Sequence, residues 1–171
     1  MRTSVAAWGS AAFFVAAPGT VTVLLPWLIS GWRIVGPDQA WAAIPVRVVA
    51  ALLIAAGAAV LIQAFVRFVT EGRGTPMPAA PPGRLVVGGL FRYVRNPMYV
   101  AIAAVNAGQA LLFWQPGLVW YLLATLLLPM AFVHWYEEPK LRREFGADYD
   151  EYRAHVPGWW PRLRPWEPGR S

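Results

Sequence analysis

At 171 residues the chain is of single-domain length, and it is 57% apolar, 14% charged and of mean hydropathy +0.42. A soluble domain carries about a quarter charged residues, so runs long enough to span a bilayer are expected instead. The lack of cysteine excludes disulfides, thiolate metal sites and cysteine nucleophiles, and two histidines, His134 and His155, leave little from which to build a metal centre. The net charge of +6 sits on residues clustered beside apolar runs rather than on a basic helix. That argues against nucleic acid as a partner and for arginines at a membrane surface.

In chain order, the first apolar run extends from Val5 to Ile29 and predicts a span over 8–29, kinked at Pro18-Gly19 and Pro26. Its start, with Arg2 and Val15-Ala16-Ala17, has features of a signal peptide, but the run continues past any cleavage point, so a retained span is expected. Ser30 to Ile44 reads as a loop, with Trp27, Trp32 and Trp41 at the interface. A second span is predicted over 46–69, where Gly57 suits a close helix contact and Arg67 reaches back toward the head groups.

Glu71 to Gly89 is too rich in Pro and Gly for a regular helix. Arg92 and Arg95 then precede Asn96-Pro97, which reads as an N-cap followed by a first-turn proline and opens a third span over 97–114. Gln115-Pro116-Gly117 makes a tight turn into a fourth, over 117–136. Asn106 and Gln109 are polar within a span, where they serve either interhelical hydrogen bonds or a substrate cavity. In the tail, 137–171, Leu141, Phe145, Tyr149 and Tyr152 recur at helical spacing opposite Arg142, Arg143, Asp150 and Arg153, predicting an interfacial helix. Trp159, Trp160 and Trp166 suit an interfacial strap after it. The fold class expected is an all-α integral membrane protein, one domain over 1–171 with four spans.

The ordered set Arg95-Asn96-Pro97-Met98-Tyr99, Glu137-Glu138-Pro139-Lys140-Leu141, Phe145-Gly146, Tyr149, Tyr152 and Val156-Pro157 resembles the isoprenylcysteine carboxyl methyltransferase and phospholipid methyltransferase superfamily. Gly74-Thr75-Pro76 and Pro81-Pro82 look like its bacterial branch. The resemblance runs from Gly72 to Pro161, with departures at Asn96, where many relatives have His, and near Ala101, where Gly is common. It implies an integral membrane enzyme that uses S-adenosylmethionine, with residues 71–89 packed over its active site. Methyl transfer from a sulfonium is an in-line displacement that needs no metal, and a lipophilic or membrane-associated acceptor is expected to enter from the bilayer.

Such a cofactor brings a carboxylate, an ammonium and ribose hydroxyls. Arg92, Arg95 and the helix start at Asn96-Pro97 suit the carboxylate. Glu137 and Glu138 suit the ammonium or the hydroxyls, and Tyr99 the nucleoside. Two other classes share parts of the pattern: an NADPH-dependent membrane reductase of the steroid type, and a non-catalytic membrane scaffold.

The two loops at 30–44 and 115–117 hold a single basic residue, Arg33, whereas 67–95 and the tail hold most of the rest. The positive-inside rule then places both termini and both motifs in the cytoplasm, of a bacterial inner membrane if the branch is right. Because the chain lacks cysteine, Asp38→Cys and Gln115→Cys should react with an impermeant reagent added outside, while Thr75→Cys and Asp148→Cys stay unlabelled. External labelling at position 75 overturns this topology.

Overall fold

A computed structural model of the chain describes residues 16–36, 40–72 and 85–167. Among the described residues all regular structure is helical. The helices are α1 (Ala16–Ser30), α2 (Ala40–Gly72), α3 (Pro97–Phe113), α4 (Pro116–Phe132) and α5 (Glu138–His155). A π-helical turn, Val133–Glu137, joins α4 to α5, and a 3₁₀ turn, Gly89–Arg92, precedes α3.

Two helices are long and apolar enough to cross a membrane: Ala43–Arg67 within α2, and the continuous Pro116–His155, whose apolar part is α4. α3, at 17 residues, is apolar but shorter than the ~20 residues of an upright span, and α1 is apolar over its described residues, 16–30. Among the described residues, two of the four expected spans thus reach the required length. Leu52, Trp120, Leu127 and Leu128 point outward and exposed, as lipid-facing side chains do.

α2 starts at Ala40 and passes through Pro45, so the expected 30–44 loop is shorter than its sequence suggested. The start of the first run, the interfacial Trp41 side chain, Asp38, the motif pieces Gly74-Thr75-Pro76 and Pro81-Pro82, and residues 168–171 lie outside the described residues or side chains.

α2 and α3 meet along a seam of small residues. Ala50, Gly57 and Ala64 recur every seven residues on α2, and Ala50 and Ala64 are fully buried. A Cβ on Gly57 would lie 2.9 Å from the Ala101 carbonyl oxygen, and one on Gly108 would lie 2.7 Å from that of Ala50. Backbones this close exclude any side chain on either glycine.

α1 is held to the bundle by polar bonds. Just after Pro18-Gly19 it widens into a π-helical turn, Thr20–Leu24. Within that turn the Val21 carbonyl accepts from Tyr121 Oη and the Thr22 carbonyl from Gln109 Nε2, both at 2.6 Å. A π turn shifts the hydrogen-bond register and so presents carbonyls sideways.

The seam can be tested directly. Gly108→Ala gains up to ~1 kcal/mol of helix propensity but forces a backbone shift of the kind that costs ~1–3 kcal/mol. It should therefore lower the thermal midpoint in detergent, whereas Gly19→Ala, with nothing within 4 Å of its new methyl, should not.

Candidate active site

The approach to α3 is shaped by one glycine. Gly89 has φ +57°, and a Cβ there would also meet Arg67 Nε at 3.1 Å. Arg67 thus lies against the turn, a more specific place than the reach toward the head groups its position implied. The turn buries Phe91 among Ala64 and Val86, with Leu90 and Met98 alongside. Pro97, fully buried, opens α3.

Asn96 corrects an expectation. Its side chain does not cap the helix. Instead Nδ2 donates to the Gly158 carbonyl at 3.0 Å, and its backbone N–H donates to the same oxygen at 3.2 Å.

That contact belongs to a longer latch. After α5 the chain doubles back along residues 91–96. Arg95 N donates to Pro157 O, Arg162 N to Tyr93 O and Trp166 N to Arg92 O, all at 2.9–3.0 Å. Tyr152 Oη donates to Phe91 O at 2.6 Å. α5 is not the single regular helix its periodicity predicted, because Gly146 breaks it at φ 53°, ψ −124°. Tyr149 and Tyr152 are still buried, with Val156 and Trp166. Trp166 therefore leaves the expected interface; it packs on Tyr152 and lies parallel to the His155 ring. Trp159, partly buried, has its ring 6.2 Å from that of Tyr99.

Within this frame the two separated motifs meet. Arg95 Nη1 donates to Glu138 Oε1 at 2.7 Å and to Tyr149 Oη at 3.1 Å, and the second Glu138 oxygen lies 3.3 Å from Arg153 Nη2. The Arg95 and Glu138 side chains are only 13% and 12% exposed. A carboxylate flanked by two guanidiniums is what so buried a charge requires. Arg95 Nε is buried without a hydrogen-bond partner. Glu137 faces the other way, with its Oε2 3.5 Å from Tyr99 Oη. Glu137 lies beyond the apolar stretch of α4. Burial raises its pKa, an effect opposed by the Tyr99 hydrogen bond, reinforced by Glu138 and opposed by Lys140.

The structure thus brings Arg95, Asn96, Pro97, Tyr99, Glu137 and Glu138 to the head of α3. Arg92 is committed to the strap, donating to Trp166 O at 2.7 Å and pairing with Glu167 at 3.0 Å. Asn106 lies two turns, about 10 Å, farther along α3 than Tyr99, and Gln109 a turn beyond it. Asn106 donates to Thr125 and Gln109 to Thr22, and each keeps a buried side-chain oxygen with no hydrogen bond. The sequence reading missed Tyr149 and Arg153 as members of the ionic cluster. It set the two on opposite faces of the tail helix, although a spacing of four makes them neighbours, and nothing local points them at Arg95 and Glu138.

Fold and site together define a helical membrane protein with a buried ionic cluster at one end of its apolar bundle. A family model for phospholipid methyltransferase matches residues 45–148, from α2 into α5 and across Arg95, Tyr99, Glu137 and Glu138. The chain belongs to the phospholipid methyltransferase family. No curated protein and no solved structure matches it.

The latch makes a stability prediction. Tyr152→Phe removes the buried hydrogen bond from Tyr152 Oη to the Phe91 carbonyl and should cost about 0.5–1.5 kcal/mol in detergent unfolding. Asn96→Leu should destabilise by a similar mechanism, through Gly158 rather than through a lost cap. An unchanged midpoint in both variants would show that the strap is not latched as described.

Proposed function

We propose that the chain transfers the methyl group of S-adenosylmethionine to a lipophilic acceptor that reaches the site from the bilayer. The observation that carries this is the buried Arg95–Glu138 pair beside Glu137 and Tyr99, formed at the end of an apolar bundle in a methyltransferase family. S-adenosylmethionine supplies a methyl group on a sulfonium, ready for in-line displacement.

The cluster suits an amino-acid zwitterion. Arg95 and Glu138 already neutralise each other out of water, so a carboxylate on Arg95 and an ammonium on Glu138 exchange one ion pair for two without adding net charge. The unpartnered Arg95 Nε is a donor waiting for an acceptor of this kind. The first turn of α3 adds unpaired backbone amides beside Arg95. Tyr99, with Trp159 next to it, offers an aromatic surface to the nucleoside. Burial disfavours the charged form of Glu137, and a cation lying close favours it.

Asn96 and Pro97 position these groups, and Arg92 fastens the strap beside them. Asn106 and Gln109, deeper in the bundle, are proposed to face the acceptor's apolar passage. The same reading keeps the four-span topology with a cytoplasmic site, where S-adenosylmethionine is made, and the bacterial branch of the family.

Titrating the detergent-purified protein with S-adenosylmethionine tests the assignment. Glu138→Gln and Glu137→Gln each remove a charge-assisted contact of ~1.5–3 kcal/mol, or about tenfold or more in affinity. Normal affinity in the double variant would rule both glutamates out as ligands.

Glu137 adds a second, opposite signature. A carboxyl whose pKa is raised by folding contributes stability below its unfolded pKa and loses it as pH rises through the folded one. At neutral pH, above the ordinary carboxylate range, Glu137 therefore weakens the cofactor-free protein. Glu137→Gln should raise the thermal midpoint without cofactor while weakening binding. In the native protein, affinity should fall on acidification at a pH above the ordinary carboxylate range.

A further inference from the structure

One face of the strap is bound to residues 91–96; the other is turned outward. Leu163 is 99% exposed and Trp160 83%. Arg164, also exposed, makes no ion pair among the described residues. Arg162 spends its guanidinium on the His155 carbonyl at 2.8 Å and meets no carboxylate among the described residues. The strap's own acid, Glu167, is paired with Arg92.

On the preceding helix Arg142 pairs with Asp150 at 2.9 Å and Arg153 with Glu138, while Arg143 gives its guanidinium to the Pro139 carbonyl. The strap instead combines two uncovered apolar side chains with two uncompensated arginines. It also lies beside the start of α3, where the apolar bundle begins. Indole and leucine are favoured just beneath lipid head groups, and arginine against their phosphates.

We propose that residues 160–164 dock on anionic lipid head groups of the bilayer that holds the helices. Trp160 and Leu163 enter the interface, and Arg162 and Arg164 meet the lipid phosphates. Because the strap backbone is latched to residues 92–96, docking also steadies the roof of the ionic cluster. The surface is thus a device by which anionic lipid supports the site, an activity-independent property of the tail.

The absence of cysteine permits a clean test. Leu163→Cys, substituted where the side chain touches nothing, is labelled with an environment-sensitive dye and placed in nanodiscs of phosphatidylcholine with or without phosphatidylglycerol. In anionic discs the dye should shift to the blue and gain protection from aqueous iodide; a label at Asp148→Cys should not. Adding Arg164→Gln should remove most of the gain, since an arginine near an anionic surface shifts the docked population roughly fivefold. High salt should act in the same direction.

Equal quenching in both discs overturns the proposal. So does protection that requires two copies per disc, which would make a second chain the occupant. S-adenosylmethionine affinity, expected to rise with phosphatidylglycerol, is a separate reading that rests on the proposed function; the dye result stands without it.

Discussion

The contact on which the rest of this structure depends is the 2.7 Å ion pair between Arg95 and Glu138. A guanidinium and a carboxylate removed this far from water are tolerable only together, and deleting either costs several times an exposed pair. The pair joins the head of α3 to the start of α5, residues 43 positions apart in sequence. Each surrounding device serves that junction. The π-helical turn at Val133–Glu137 carries the chain from α4 into α5, and the adjacent glutamates part there, Glu138 toward Arg95 and Glu137 toward Tyr99. Gly158 lets the strap pass the guanidinium, since a Cβ there would lie 3.2 Å from Arg95 Nη2.

The bundle beneath is built for proximity rather than bulk. In lipid no hydrophobic effect separates one apolar helix face from another, so close backbone packing and polar bonds must hold helices together. α2 and α3 use the first, along Ala50, Gly57 and Ala64. α1 uses the second, giving carbonyls from its π turn to Tyr121 and Gln109. Two π turns, at Thr20–Leu24 and Val133–Glu137, each mark a place where a helix gives up regular bonding to serve a neighbour.

The strap ties these layers to the surface. Its inner edge completes the hydrogen bonding of residues 91–96, which no helix could satisfy, and buries Trp166 against Tyr152. A segment without regular structure is thereby hydrogen-bonded to the approach to α3. It also sets the Trp159 ring 6.2 Å from that of Tyr99, beside the ionic cluster.

Sequence alone determined what depends on neighbours along the chain. The apolar runs predicted over 46–69, 97–114 and 117–136 correspond to Ala43–Arg67, Pro97–Phe113 and Pro116–Phe132, because hydropathy and first-turn prolines act locally. Residues 95–99 and 137–138 stood out by chemistry and resemblance, and they do meet. What sequence left open were choices between partners far apart in the chain. Asn96 has the composition of a cap, yet the Gly158 carbonyl, 62 residues on, claims its amide. Trp166 has the composition of an interfacial residue and is buried, while Trp160 stays exposed. Arg92 and Arg95 read alike, three residues apart, and the tail sends one to Glu167 and the other to Glu138. A break at Gly146 redirects α5 without altering its pattern of apolar residues. Periodicity records which face is apolar; only the folded chain decides which buried polar group finds a partner, because that depends on where the tail returns.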